Sequence, residues 1–302
     1  MKQIFSIVLV TLLIHLCNPT TIFAKGVTVS PSFQEIELER DVPEASASFL
    51  LKNDHEVPVE FEVFAYDFQQ KDHFGSLALL DGFETAYAHT LASFLRFNED
   101  RIVLEPTEEK EISVTIQNRD TLSPGGHYAA IIMRQVQNEG EIREVLPALS
   151  TLLLIRKTGA ERFHLTIDRV DWNPSSVRFS IPDTVPVIFR NDGNTHVTPR
   201  GTVKFFDLFN RVTHQGIVNQ DSVFVLPGTN RRIPIVIKSS RWNSPIMFVT
   251  MTLDGTTTPG DVSYRYEDSF LYIQPVALLG LIGAIGGLIF YIRKRRKSVL
   301  SA

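Results

Sequence analysis

The sequence is poor in the residues that build disulfide frameworks and thiolate metal centres. Its 302 residues include one cysteine, Cys17, so a disulfide network or a cysteine-ligated metal cluster is excluded. The histidines number eight and are scattered without the spacing of metal ligands. We therefore expect neither a metal nor a cofactor.

The common catalytic motifs are also missing. The sequence has no G-x-S-x-G, H-E-x-x-H or G-K-[ST] pattern, which would indicate serine, zinc or phosphate chemistry. Asp and Glu are abundant, but no motif pairs them, and a glycosidase needs two facing carboxylates that a sequence alone does not establish. We predict that the protein is not an enzyme, and we keep a cell-wall hydrolase as the minor alternative.

Charge is distributed unevenly along the chain. Lys2 and the run 293–297 hold six of the 30 Lys and Arg residues, and no acidic residue lies in 1–24 or 293–302. The middle of the chain therefore carries 24 cations against 34 anions. Because phosphate binding requires a basic surface, we expect no nucleic-acid partner.

The first 24 residues resemble a secretory signal peptide. Lys2 precedes an apolar run over 4–16, and the small residue Ala24 ends the segment, which is the usual arrangement of such a signal. Cleavage after Ala24 would remove Cys17; an uncleaved anchor or a buried helix is the alternative. No N-x-[ST] acceptor with a non-proline middle residue occurs, which favours a bacterial exported protein over an animal receptor.

A second apolar segment predicts one transmembrane helix over 274–292. The apolar run 273–292 has 20 residues and as a helix would span about 30 Å, the thickness of a bilayer core. The residues predicted to anchor this helix in the membrane are Val276, Leu278, Leu279, Leu281, Ile282, Ile285, Leu288, Ile289, Phe290 and Ile292.

A cationic run follows this segment and predicts its orientation. The run consists of Arg293, Lys294, Arg295, Arg296 and Lys297. The positive-inside rule makes 293–302 a basic cytoplasmic tail and places the N-terminal part outside the cell membrane. Gly283 and Gly287 have the small-xxx-small spacing that lets two helices approach closely, so homo-association through this helix is an additional hypothesis.

Between the two apolar segments, the sequence predicts β-sheet. Apolar residues alternate over 57–66, 111–116, 163–167 and 233–237, which is typical of strands with one face on a core. Turn signals rich in Gly, Pro and Asn separate these runs, and short strands so spaced favour β-sandwiches. The segment 83–95 is the exception, because its aromatic residues and leucine recur at helical spacing and predict a short helix.

A domain boundary is predicted near 157–160, after the fully apolar run 152–155. The two resulting units, 26–157 and 160–273, are each close to the roughly 100 residues of an immunoglobulin-like sandwich. The predicted fold is therefore all-β, with two tandem immunoglobulin-like sandwiches followed by one transmembrane helix. The loop 69–82 and the turn 191–200 are the predicted contacts for an unidentified ligand.

The layout and several short motifs resemble the WxL-interacting proteins of Gram-positive cell surfaces. In the first domain the resemblance lies in 102–106, 112–116 and 123–131, where a strand leads into a Gly-Gly turn and a second apolar strand. The same stretch is similar to the first domain of pilus-assembly chaperones. In the second domain the resemblance lies in 225–235 and 270–273. It implies that the first domain binds wall peptidoglycan or surface proteins and that the second binds an outside partner.

Three functional hypotheses follow. The leading one is a non-catalytic, single-pass surface protein that presents two sandwiches to a protein or cell-wall partner. The second is a membrane-tethered assembly chaperone that donates a strand to a surface subunit. The third is the cell-wall hydrolase.

Overall fold

The computed structural model describes residues 26–80, 87–136, 148–172, 176–239 and 246–300. The predicted signal peptide over 1–24 lies outside these ranges. Nineteen strands in the described part form two sandwiches, and one helix follows them.

The first sandwich contains ten strands in two sheets. They are β1 (Val27–Ser30), β2 (Phe33–Leu38), β3 (Glu44–Asn53), β4 (Val59–Gln70), β5 (Leu77–Leu80), β6 (Leu95–Phe97), β7 (Arg101–Leu104), β8 (Glu109–Gln117), β9 (Gly125–Gln135) and β10 (Ala148–Lys157). One sheet has the order β1-β3-β8-β6, and the other has the order β2-β10-β9-β4-β5, with β7 also paired to β4.

Alternating apolar residues of both sheets fill the first core. Ile112, Val114 and Ile116 of β8 face Phe61 and Val63 of β4 across the sandwich, and all five are buried. Their polar neighbours along each strand point outward, as period two requires.

The second sandwich contains nine strands. They are β11 (Leu165–Val170), β12 (Val177–Arg178), β13 (Thr184–Asn191), β14 (Thr198–Phe206), β15 (Val212–Val218), β16 (Thr229–Val236), β17 (Lys238–Ser239), β18 (Ile246–Thr258) and β19 (Tyr264–Ile273). The sheets have the orders β11-β13-β16 and β12-β19-β18-β14-β15-β17. The all-β, two-domain part of the predicted fold therefore fits the structure.

The beginning of the chain changes sheets within the first sandwich. Strand β1 pairs antiparallel with β3, whereas β2, which starts after Pro31 and Ser32, pairs parallel with β10 on the opposite sheet. This crossing places β2 along one edge of β10, which positions the site described below.

The short helix predicted over 83–95 is wrong for the residues that are described. Only a 3₁₀ turn, Ala92–Phe94, occurs there, followed directly by β6. The apolar residues at helical spacing are buried for another reason: Leu91 and Phe94 enter the first core from a loop. Residues 81–86 lie outside the described ranges.

The predicted transmembrane helix over 274–292 is also wrong. A helix, α1 (Pro275–Leu300), follows the second sandwich. Among the residues that the structure describes, however, no helix combines the length and the apolar character needed to cross a membrane. A span requires about 20 consecutive apolar residues in one helix. The predicted single-pass localisation in the cell membrane depended on that span and is corrected with it.

Candidate functional site

Strand β10 is buried on both of its faces. Leu153 and Ile155 point into the first core, whereas Leu152 and Leu154 point to the opposite side, toward the second domain. A strand with one face in water would alternate apolar and polar residues, so the uninterrupted apolar run at 152–155 reflects burial on both sides.

A small apolar cluster joins the two domains across this outer face. Its buried members are Phe68, Tyr128, Ala130, Leu154 and Leu226, and we call it the interdomain cluster. The first four come from β4, β9 and β10 of the first domain. Leu226 comes from the loop between β15 and β16 of the second.

Main-chain hydrogen bonds reinforce the contact between the domains. The Gly126 amide donates to the Asn194 carbonyl oxygen at 2.8 Å, and the Arg232 amide donates to the His73 carbonyl oxygen at 2.7 Å. The Gln70 side chain donates to the Asn230 carbonyl oxygen at 2.6 Å. Gln70 and His73 of the predicted contact loop 69–82, and Asn194 of the predicted contact turn 191–200, therefore bond to the other domain. Residues 81–82 of that loop lie outside the described ranges.

A buried histidine lies beside the interdomain cluster. The His196 Nδ1 atom is 3.3 Å from the Tyr128 hydroxyl, and its Nε2 atom is 3.6 Å from the Glu35 carboxylate. Burial lowers the pKa of His196 to about 4, and the Arg156 guanidinium acts in the same direction. The imidazole is therefore neutral at physiological pH. Burial has the opposite effect on the neighbouring acid and raises the pKa of Glu35.

The interdomain contact was not predicted from the sequence, although β9 carries a pattern that indicates it. The run 125–131 of β9 is buried at every position, and its apolar residues do not alternate with exposed polar ones. A continuous apolar run in an antiparallel sheet indicates that both faces are covered. The run does not say what covers the outer face.

One edge of β10 is only partly covered. Strand β10 pairs with β9 along its whole length, from Ala148 to Lys157. Strand β2 covers the other edge only from Leu152 to Lys157, and the Thr151 hydroxyl donates to the Pro31 carbonyl oxygen at the end of this pairing. No described strand pairs with 148–150 on that side, and we call these three residues the open edge.

Two residues of the open edge present main-chain groups outward. The Leu152 amide donates to the Ser32 carbonyl oxygen, away from β9. In an antiparallel pair the outward-facing residues alternate, so Ser150 and Ala148 also point their N–H and C=O groups away from β9. Leu149, between them, packs against the first core. The open edge can therefore accept an additional strand.

The histidines and carboxylates described in this region do not cluster. Within the described ranges, no group of three or more His, Cys, Asp or Glu side chains could hold a metal ion. His127 is buried, and its Nδ1 and Nε2 atoms lie 2.9 Å from the Thr90 carbonyl oxygen and 2.7 Å from the Ser123 carbonyl oxygen.

The residues predicted as a membrane anchor lie on α1. Those that the structure shows exposed are Val276, Leu279, Ile282, Ile285, Leu288, Ile289 and Phe290. A Cβ atom added at Gly283 or Gly287 would meet no other part of the chain within 4 Å. The side chains of Leu281, Ile292 and the basic run 293–297 lie outside the described part.

Comparisons with known proteins give similar folds only. No protein-family model and no curated protein matches the chain, so membership of the WxL-interacting proteins stays a prediction. Solved structures that are similar include the class 5 fimbriae chaperone CfaA, at 11% identity and a TM-score of 0.41, covering 80% of this chain and 99% of that chain.

Two further similar structures come from chaperone–subunit complexes. One is the CsuC–CsuE chaperone–tip adhesion subunit pre-assembly complex of Acinetobacter baumannii, at 8% identity, a TM-score of 0.40 and coverage of 82% and 99%. The other is the Salmonella enterica SafA pilin with the SafB chaperone, at 8% identity, a TM-score of 0.37 and coverage of 83% and 97%. At these TM-scores the likenesses carry no argument about function.

Proposed function

We propose that this chain is a non-catalytic assembly chaperone that binds an extended segment of a β-rich subunit by strand addition at the open edge of β10. The observation that supports the proposal is the register of β10. The pairing of β2 with β10 begins at Leu152, and no strand among the described residues lies beside the outward groups of Ala148 and Ser150. A membrane tether is no part of this proposal.

Strand addition suits this edge because β10 is held firmly. Ten consecutive residues of β10 pair with β9, and its centre packs against both the first core and the interdomain cluster. Because β10 is already ordered, binding of an incoming segment loses little conformational entropy in β10. Each net main-chain hydrogen bond contributes about 0.5–1.5 kcal/mol, so a few of them support a transient complex.

The same geometry is compatible with strand donation. When an edge strand pairs with a partner's edge, each strand extends the other's sheet. From the partner's side, β10 would be the additional strand that completes its sheet. Recognition through main-chain groups tolerates varied subunit sequences, which is what an assembly chaperone needs.

The decisive variant is Ser150→Pro, which removes the outward N–H group and keeps the β9 ladder. Proline is tolerated on an edge when its missing N–H would face solvent. The matched control is Ser150→Ala, which removes the hydroxyl and keeps the N–H. The probe is a fluorescent synthetic peptide of alternating Val and Thr, measured by anisotropy, with amide hydrogen exchange at Ser150 as the second readout.

We expect the peptide to bind the wild type and Ser150→Ala equally, to slow exchange of the Ser150 amide, and to bind Ser150→Pro about tenfold more weakly. Protection of a different edge strand, or equal binding by all three proteins, would overturn the proposal. Circular dichroism checks that Ser150→Pro keeps its β-sheet.

A further inference from the structure

A buried arginine in the second domain has unpaired donors. Arg178 is 8% exposed, and the central carbon of its guanidinium lies over the Trp172 ring, 3.8 Å from the ring centre. The centre of the Phe270 ring lies 4.8 Å from the same carbon, and this ring is at 83° to that of Trp172. We call these three side chains the stack. Strand β12 holds Arg178 beside Tyr272 of β19 at the end of the sheet. Contact of the Arg178 guanidinium with an aromatic ring leaves the N–H groups at its edges available for hydrogen bonds.

Within the described part of the chain, the Nε and Nη2 atoms of Arg178 are buried without a hydrogen-bond partner. These two atoms form one edge of the guanidinium, with parallel N–H bonds that match the two oxygens of a carboxylate. The indole Nε1 of Trp172, in the same stack, is also buried and unpaired. Three unpaired donors in one stack destabilise the folded chain, because a buried donor without an acceptor has lost its hydrogen bonds to water.

The charge of Arg178 is also poorly compensated. The nearest acid is Asp268, whose Oδ2 atom lies 4.0 Å from Nη2, beyond hydrogen-bond distance. Burial lowers the pKa of Arg178, against the opposing effect of Asp268 and Tyr266. The stack thus presents a cation and aligned donors without an adequate acceptor.

We propose that this stack is a binding site for a carboxylate group, which pairs with the Nε–Nη2 edge of Arg178. A carboxylate is planar and singly charged, so its two oxygens match the two N–H groups at this edge of the guanidinium. A phosphate carries more negative charge, which Asp268 would repel. The site lies in the second domain and does not depend on strand addition at β10.

Access to the edge requires a side chain to move, because both donors are shielded from solvent. Asp268 has a side chain 30% exposed and is the acid that an incoming carboxylate must displace. Removing its charge should therefore strengthen binding. This gives the site a variant that gains affinity, which simple structural damage does not produce.

The experiment follows the Arg178 Nε–H and Trp172 Nε1–H signals by ¹H–¹⁵N NMR during titration with sodium acetate. Sodium chloride at the same ionic strength controls for salt, and sodium phosphate tests the preference for carboxylate. Both signals should move downfield and saturate with acetate alone. In Asp268→Asn the affinity for acetate should rise several-fold.

Arg178→Lys keeps the charge and loses the planar fork, so acetate should bind about tenfold more weakly. The matched control is Arg265→Lys, whose side chain is 68% exposed and which should bind like the wild type. Should Arg178→Lys fail to fold, the wild-type titration decides alone. The absence of a saturable shift in the wild type, or binding only after Asp268→Asn, would overturn the proposal, since Asp268 would then be the partner of Arg178.

Two peptides distinguish the source of the carboxylate. One has a free C-terminus and no acidic residue, and the other is C-terminally amidated and contains one Glu. If the first peptide shifts the NMR signals, the site binds the carboxylate of a chain terminus. If the second peptide shifts them, the site binds an acidic side chain. If acetate binds and neither peptide does, the site accepts only small carboxylates.

Discussion

At the scale of single residues, buried asparagines hold the strand ends of both domains. The Asn53 side-chain nitrogen donates to the carbonyl oxygens of Val57, Leu104 and Glu105. At the corresponding end of β13, Asn191 donates to the Thr195 and Val225 carbonyl oxygens. The side-chain oxygen of each asparagine also accepts a hydrogen bond from the backbone amide two residues later. A turn was predicted from the sequence at 191–200, but the long-range hydrogen bonds of Asn53 and Asn191 were not.

Asn53→Ala should lower the free energy of unfolding by about 2–4 kcal/mol, because buried carbonyl oxygens lose their donor and cannot reach water. Urea unfolding followed by circular dichroism measures the change. Asn230 is exposed, and Asn230→Ala, as the control, should change the free energy by less than about 0.5 kcal/mol. Equal effects of the two substitutions would contradict the structural role of Asn53.

His196 makes stability depend on pH in a defined window. Its folded pKa of about 4 lies below the ordinary value of 6.5, so the unfolded chain binds a proton between these pH values and the folded chain does not. The free energy of unfolding then falls as pH decreases from 6.5 to 4, by about 3 kcal/mol at most. Glu35, Tyr128, Arg156 and Arg200 are the ionisable groups facing this site.

His196→Gln should flatten this pH dependence, since glutamine does not titrate. Urea unfolding at a series of pH values between 4 and 7 measures the slope. His164, whose side chain is 58% exposed, supplies the control, and His164→Gln should keep the wild-type slope. An unchanged slope in His196→Gln would show that another group carries the effect.

At the scale of elements, period-two patterns predicted strands where one face alone is buried. The alternating segment 111–116 lies within β8. The alternating segment 233–237 overlaps β16, and its residues Ile233 and Ile235 are buried. Prediction failed at 83–95, because residues buried from a loop can mimic helical spacing. A local apolar pattern indicates that residues are buried. It does not distinguish residues buried from a loop, in a strand or against another domain.

The beginning of β9 depends on a glycine that touches the second domain. Gly125 has a φ of 123°, and an added Cβ atom would lie 2.7 Å from the Asn194 carbonyl oxygen. Gly125→Ala should therefore cost about 3 kcal/mol, from backbone strain and a clash with a main-chain atom. Gly228 also has a positive φ, of 70°, but has open space around it.

Gly228→Ala is thus the matched control, and its cost should stay near 1 kcal/mol, from backbone strain alone. Thermal unfolding of both variants gives the comparison. If the two substitutions cost the same, close packing of β9 against the turn at Asn194 is not what restricts Gly125.

At the scale of the whole molecule, the arrangement of the two domains could not be predicted from periodicity. Sequence patterns identified the apolar runs of β9 and β10, but nothing local says that Leu226 of a distant loop covers their outer face. The same limit applies to the C-terminal segment, whose apolar composition predicted a transmembrane span that the structure does not support. An apolar composition shows that a segment avoids water, but it does not show what packs against that segment.

The interdomain cluster should make the two sandwiches unfold as one cooperative unit. Leu226 is 2% exposed, and Leu226→Asp would bury a charge among Phe68, Tyr128 and Leu154, which folding tolerates poorly. Because each sandwich keeps its own core, the expected result is separation of the domains, not loss of both folds.

Calorimetry should then show two transitions where the wild type shows one, and small-angle scattering should show a larger radius of gyration. Leu208→Asp, at a position 72% exposed, should leave both measurements unchanged. One transition with an unaltered radius in Leu226→Asp would mean that the hydrogen bonds at Gly126 and Arg232 are sufficient to couple the domains.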